Sequence, residues 1–395
     1  MAEIDTKDKR SAGMLPLTGW FHEISGSVAN FGILFPLMAG VSFATGLHLG
    51  TMLLLCGVWY IIIGLVYRIP LSVEPLKAIA ALAIAYEISS IDVLTSGIVV
   101  GIVMLLLGIT GGMQFVADLI PKVVVRGIQF ALGLILLKTA IFSYGISNIS
   151  FFVSALAVIV LFGFIATKTS IPDFSAFLLI SILCGEALLM SGTTTGLAMV
   201  SFQLPPLLHP DLFSLPLSAW SAAFIPGLSS QLPLTVTNSV LATTLLVSDL
   251  YKRKVSPNVL SCTVGLMSVS SVMFGGFPMC HGAGGVAAHY RFGARTGAAM
   301  VLGGSVLIVL ALFLSNAAVF TSLSFGILAA LLVSVSVELM RHGFSSTETM
   351  QKSHIMLVIC MGMVALVAGM TMAFIVGCVW VSCEYLVHQK PVLLK

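Results

Sequence analysis

The sequence predicts an all-α polytopic membrane protein with about fourteen transmembrane segments in a 7+7 inverted repeat. Three observations carry this. First, 58% of the 395 residues are hydrophobic and only 8% are charged, with a mean hydropathy of +1.11. A soluble domain carries about 25% charged residues, so there is too little polar surface here to cover a soluble fold. The apolar/polar alternation of a membrane β-barrel is also missing. Second, the basic residues are distributed unevenly between the loops. Third, two unusually short, Pro-interrupted segments occupy corresponding places in the two halves.

Taken in order, the apolar segments fall at about 24–46, 49–67, 75–87, 92–111, 121–143, 149–167 and 174–192 in the first half. In the second half they fall at 228–248, 257–274, 278–289, 297–315, 318–339, 353–369 and 371–388. Each full span uses about 20 residues, and the third and tenth are short. The division is therefore a polar tail (1–23), a first seven-segment repeat (24–192), an outer Pro-rich linker (193–227), a second repeat (228–388) and a short tail (389–395). Residues 1–23 are polar and mixed in charge, unlike a cleaved signal peptide. The seven Cys form no CxxC pair and read as small hydrophobes rather than a disulfide frame or a metal site. No cofactor is expected, and nothing points to nucleic acid.

Of the 18 basic residues, all but Lys77 and Lys138 fall in the loops, tails or segment ends of one side when the N-terminus is placed inside. The outer loops, including 193–227, hold none. That is the asymmetry of the positive-inside rule, and it places both termini in the cytoplasm, most simply at a plasma membrane.

The paired breaks read IPLSVEPLKAIAA (69–81) and GGFPMCHGAGGVA (275–287). Each has a Pro before a short helix of small residues. Seven is odd, so the second copy runs inverted, and the two half-helices are expected to meet at the midplane. Broken, matched segments of this kind mark a transporter's binding site. Pro75 suits a first helical turn, and Pro278–Gly285 reads as the second half-helix start. Two helix N-termini facing each other carry partial positive charge and free N–H groups, which suits an anion.

The expected ligand set is Pro75, Leu76, Lys77 and Ala78 on the first half-helix and Cys280, His281, Gly282, Ala283 and Gly284 on the second. Gln231, Thr235 and Asn238 of the eighth segment and Asn30 of the first add neutral donors. Such donors fit a tetrahedral oxyanion, whose four oxygens accept many hydrogen bonds. Glu74 is an intramembrane carboxylate beside this site, and functional by default. It is the candidate for proton coupling, and pairing with Lys77 or holding the half-helix start are its other readings. Ser25, Ser27 and Thr237 read as packing residues. His289, Arg291 and Arg295 read as topology or headgroup residues, and Glu186 as either structural or a proton relay. An enzyme would need a nucleophile–base set or metal ligands at one depth, and His281 with Cys280 has no third member. A receptor would not need two matched broken helices.

VEPLKAIAA (73–81), QLPLT (231–235) and FGGFPMCHGAGGVAAHYRFGARTG (274–297) resemble the signatures of the molybdate transporter family, which is related to the sulfate permeases. The resemblance covers essentially the whole chain. It implies molybdate uptake and the seven-plus-seven fold. Segments 1–4 and 8–11 would form a core domain and 5–7 and 12–14 a gate domain, with elevator-type movement and, by analogy, a homodimer. In that family the residue before Pro75 is usually a neutral Gln, where this chain has Glu74. A sulfate or other anion transporter, or a channel, on the same fold is the alternative.

Overall fold

The computed structural model describes residues 17–86, 88–119, 121–168, 182, 204–207, 227–314, 324–344 and 351–388. The expected seventh segment with Glu186, most of the linker, residues 1–16 and residues 389–395 lie outside the described residues. Every other expected segment carries a helix. Among the described residues, five helical runs suffice by length and composition to cross a membrane, and further apolar helices of 10–17 residues accompany them. The chain is an integral, multi-pass membrane protein.

The first expected segment divides into α1 (Leu17–Ser27) and α2 (Phe31–Thr45) at a tight turn where Phe31 N–H bonds the Val28 carbonyl. Then come α3 (Leu49–Tyr67), the extended pair β1 (Glu74–Pro75) and the short α4 (Lys77–Tyr86). Next are α5 (Ser90–Thr110), an unexpected short α6 (Met113–Leu119), α7 (Lys122–Thr139) and α8 (Ile149–Lys168). In the second half, α9 (227–251) alternates π-helical turns (Gly227–Gln231, Thr235–Ala242) with α-helical ones (Leu232–Leu234, Thr243–Tyr251). There follow α10 (Pro257–Met273), β2 (Met279–Cys280), the short α11 (Ala283–Arg291) and α12 (Ala298–Leu314). The chain closes with α13 (Phe325–Gly343), α14 (Lys352–Ala368) and α15 (Met370–His388). α13 runs past its expected end at 339, because Arg341 and His342 form its last turn, where basic side chains meet the negative end of the helix dipole.

The tightest helix pairs are α3 with α12 and α5 with α10. Water cannot drive helix association inside a bilayer, so close backbone approach must do it. Small residues permit that approach. A Cβ on Gly57 or Gly64 of α3 would strike the carbonyls of Gly304 and Gly297. Gly101 and Gly108 of α5 abut Val269 and Cys262 of α10 in the same way. α7 packs against α13 and α14, and α8 against α13. Large side chains such as Leu65, Val160 and Val367 point outward where lipid would cover them.

The two extended pieces pack against α2 and α10 and pair antiparallel, Glu74 opposite Cys280 and Pro75 opposite Met279. Leu76 N–H extends the ladder to the Pro278 carbonyl (3.0 Å). Neither Pro sits where the sequence places it. Pro75 is in β1 and α4 begins at Lys77. Pro278 precedes β2, and α11 begins only at Ala283. The reason is backbone satisfaction. Deep in a membrane the extended residues need partners, and pairing each break with the other supplies them for a few residues before either helix starts. Ser268 and Ser271 of α10 complete the set by donating to the carbonyls of Met279 (2.6 Å) and Phe277 (2.8 Å).

Gly64→Val should overpack the α3/α12 contact and lower stability by about 1–3 kcal/mol. Leu65→Val, at a side chain 63% exposed, should not. Thermal unfolding of the two variants in detergent checks this.

Candidate functional site

The paired breaks bring the N-termini of α4 and α11 together, and the two ends are occupied differently. At α4, the Gln231 side-chain oxygen accepts hydrogen bonds from Ala78 N–H (2.9 Å) and Ile79 N–H (3.3 Å). Its amide nitrogen donates to Thr235 Oγ1 (2.8 Å). Gln231 and Thr235 are one turn apart on α9, where the π-helical turns set the side chains. Gln231 is thus a cap supplied in trans, and the Ala78 N–H expected to face an anion is already taken, together with that of Ile79.

At α11, no side chain caps the helix, whose N-cap residue is Gly282. Instead the Glu74 carboxylate lies against its first turn. A Cβ on Gly282 or Gly285 would collide with that carboxylate, and at Gly285 also with the Ser72 side chain, so Glu74 would have to move for either position to carry a side chain. Glu74 is fully buried and forms an ion pair with Lys77 Nζ at 2.6 Å. Of the readings of Glu74, the pairing with Lys77 is present; the start of its own half-helix is capped by Gln231, and the carboxylate stands against the first turn of α11 without a hydrogen bond to it. Gly284 differs from its neighbours. A Cβ there would meet only His342 Nε2 at 3.4 Å and Glu338 Oε1 at 4.0 Å, at van der Waals distance.

His281 is fully buried. Its Nδ1 lies 2.8 Å from the Ser72 carbonyl, and its Nε2 has no hydrogen-bond partner among the described residues. The Tyr67 ring stands edge-on to it. Ser72 locks the lead-in a second way, donating its hydroxyl to the Gly282 carbonyl (2.7 Å) and accepting from Gly282 N–H (3.1 Å). Cys280 is buried beside Ser239 of α9.

The expected residues Pro75, Leu76, Lys77, Ala78, Gln231, Thr235, Cys280, His281, Gly282, Ala283 and Gly284 thus come together around Glu74. Asn30 is fully buried, close to Tyr60 of α3, and neither of its amide atoms makes a well-formed hydrogen bond among the described residues. Asn238 is only half-buried, and among the described residues no hydrogen bond links its side chain to the site; its carbonyl accepts from Thr243. Thr237 and Ser27 bond carbonyls of their own helices, as packing residues do.

His289 departs from expectation. It is fully buried, with Nδ1 on the Gly26 carbonyl (2.7 Å) and its ring edge-on to Tyr60. Arg295 is structural: its guanidinium stacks on Tyr290 at 3.7 Å. Glu23 accepts from the N–H groups of Arg295, Thr296 and Ala299, tying α1 to the start of α12. Sequence reasoning missed Ser72, Tyr60, Tyr67 and the Glu338–His342 pair (3.0 Å) on α13. Glu338 was detectable, since it is an ionisable residue inside an expected span. Among the described residues, no group of three or more His, Cys, Asp or Glu is placed to hold a metal.

A family profile described as "Molybdate transporter of MFS superfamily" matches residues 22–136 and 223–339. The chain belongs to the molybdate transporter family. Molybdate transporter 1 of Arabidopsis thaliana is 32% identical over 369 residues, covering 80% of this chain and 78% of the relative. Molybdate transporter 1 of Chlamydomonas reinhardtii is 27% identical over 85% of this chain and 86% of its own length. Family members are named as transporters, and the chain is a transporter, not an enzyme. Solved structures share the fold at low identity. The transmembrane domain of the cyanobacterial bicarbonate transporter BicA matches with TM-score 0.64 at 17% identity, over 92% of this chain and 98% of that one. Murine Slc26a9 in its inward-facing state matches with TM-score 0.68 at 12% identity, over 97% and 74%. The fold is thus that of the SLC26 and BicA transporters.

The contacts around the α11 start give a sharp expectation for uptake assays. Gly282→Ala and Gly285→Ala should abolish uptake at normal membrane expression, because each displaces the Glu74 carboxylate. Gly284→Ala should retain it.

Proposed function

We propose that the chain is a secondary active importer of a tetrahedral oxyanion, molybdate, bound between the starts of α4 and α11. The observation that carries this is the uncapped α11 N-terminus, which faces Lys77 and Glu74 beside the unpartnered Nε2 of His281. A helix N-terminus and a buried ammonium favour an anion, while Gln231, Thr235 and Asn30 would read its size with neutral groups. The family relatives are named for molybdate, which selects it among oxyanions.

The organisation we infer is the 7+7 inverted repeat, 24–192 and 228–388 joined by 193–227, with the half-helices meeting at the midplane. The contact pattern supports it. Exchanging the halves turns the α3/α12 pair into the α10/α5 pair, and maps the β1/β2 pair onto itself. Core and gate domains are supported by the same contacts: α3, α5, α10 and α12 pair among themselves, as do α7, α8, α13 and α14. The core would carry the anion past the gate in an elevator movement. Both termini lie in the cytoplasm, the membrane is the plasma membrane, and a homodimer is the assembly.

Moving a dianion inward against a negative-inside potential costs about 2.3 kcal/mol per charge per 100 mV. Co-transported protons offset this, with Glu74 as a candidate carrier. Calorimetry of the purified protein with molybdate, tungstate and sulfate tests the reading. Molybdate and tungstate should bind and sulfate should compete poorly; tight sulfate binding with none of molybdate would favour a sulfate transporter. Accumulation above electrochemical equilibrium in vesicles would exclude a channel.

Lys77→Ala should raise half-saturating molybdate by roughly ten- to a hundredfold, the scale of one lost charged contact of about 1.5–3 kcal/mol. Glu74→Gln should flatten the pH dependence of uptake, and an unchanged profile would remove Glu74 from coupling.

A further inference from the structure

The His281 ring is fixed by a group that can only accept. Its Nδ1 lies 2.8 Å from the Ser72 backbone carbonyl, so Nδ1 carries the hydrogen. A neutral imidazole with Nδ1–H presents Nε2 as an acceptor. That Nε2 is fully buried, unpartnered among the described residues, and one residue ahead of Gly282, the N-cap position of α11. An oxyanion also offers only acceptors. Neutral His281 and a bound oxyanion therefore oppose lone pair to lone pair, and the ring cannot turn over without giving up the Ser72 bond.

We propose that His281 takes up a proton as the oxyanion binds, so that anion and proton enter the site together at Nε2. This rests on the reading of the α4/α11 site as the anion site. One proton from the aqueous phase bonds to Nε2. The imidazolium then donates from Nδ1 to Ser72 and from Nε2 to an anion oxygen, and no bond within the anion breaks. When the anion leaves, the proton returns to water on that side. Among the described residues, the groups that act on the ring are Glu74 from β1, which is paired with Lys77 on α4, and Tyr67 from α3, with Cys280 next to it in sequence. Glu74 and Lys77 cancel, and Glu338 of α13 reaches Lys77 electrostatically as a further acidic group, so a dianion arrives most readily with protons. His281 supplies one acceptor for them, separate from Glu74.

The test is calorimetry of molybdate binding to the purified full chain at pH 7, repeated in buffers of different ionisation heat, which counts protons taken up per anion. Wild type should take up about one proton or more through this linkage. His281→Gln retains an N–H donor but cannot take the proton, so its count should fall by about one while molybdate still binds. Glu74→Gln should keep the His281 share. Wild-type binding with no proton uptake overturns the inference without any variant, and so does a His281→Gln protein of normal melting temperature with the wild-type count. Absence of molybdate, tungstate and sulfate binding by wild type would instead overturn the oxyanion site, and the inference with it.

Discussion

The four-residue ladder of β1 and β2 is the constraint on which the rest of the site depends. A chain that leaves its helix inside a membrane exposes N–H and C=O groups that lipid cannot satisfy. Here two such breaks satisfy each other, Glu74 opposite Cys280 and Pro75 opposite Met279. Ser268, Ser271 and Ser72 take up carbonyls of the second break. Each break alone would be costly; together they place two helix starts within reach of one small object. The glycine-mediated contacts of α3 with α12 and α5 with α10 then hold the surrounding helices close enough to enclose that point.

The pairing also makes the two helix ends unequal. Gln231 caps α4 from a neighbouring helix, so that end contributes its lysine more than its amides. α11 has no cap, two glycines pressed against the Glu74 carboxylate, and a histidine held in one tautomer by a carbonyl. The protein's own carboxylate thus already stands beside the positive helix end. An incoming anion must share the space with it, which ties binding to charge balance and hence to protons. The half-exposed Glu338 and His342 on α13 stand over Gly284, the open side of the same turn.

Much of the fold was legible because a bilayer leaves few options. Hydropathy and length located the described helices apart from the short α6, although α1 and α2 read as one segment. The matched Pro-containing breaks were visible at 69–81 and 275–287, and the residues expected there do converge. What the sequence hid was geometric. Pro fits either a first helical turn or an extended strand, so Pro75 and Pro278 could not reveal that their neighbours pair before the helices begin. The capping role of Gln231 depends on the π-helical turns of α9, which have no simple residue signature. The tautomer of His281 depends on Ser72, 209 residues away. His289 looked like an exit residue because its burial comes from α1 and α3, not from its own apolar surroundings in sequence.

The claim that organises all of this is that the uncapped start of α11 is where the anion sits. Tungstate has the charge and geometry of molybdate and scatters X-rays anomalously, so a structure with tungstate bound measures the position directly. The expected result is one anomalous peak placed so that the anion's oxygens lie about 3 Å from the backbone N–H groups at 283–285, with His281 Nε2 and Lys77 Nζ beside it. A peak elsewhere in the protein, with Glu74 undisturbed against Gly282 and Gly285, would contradict it.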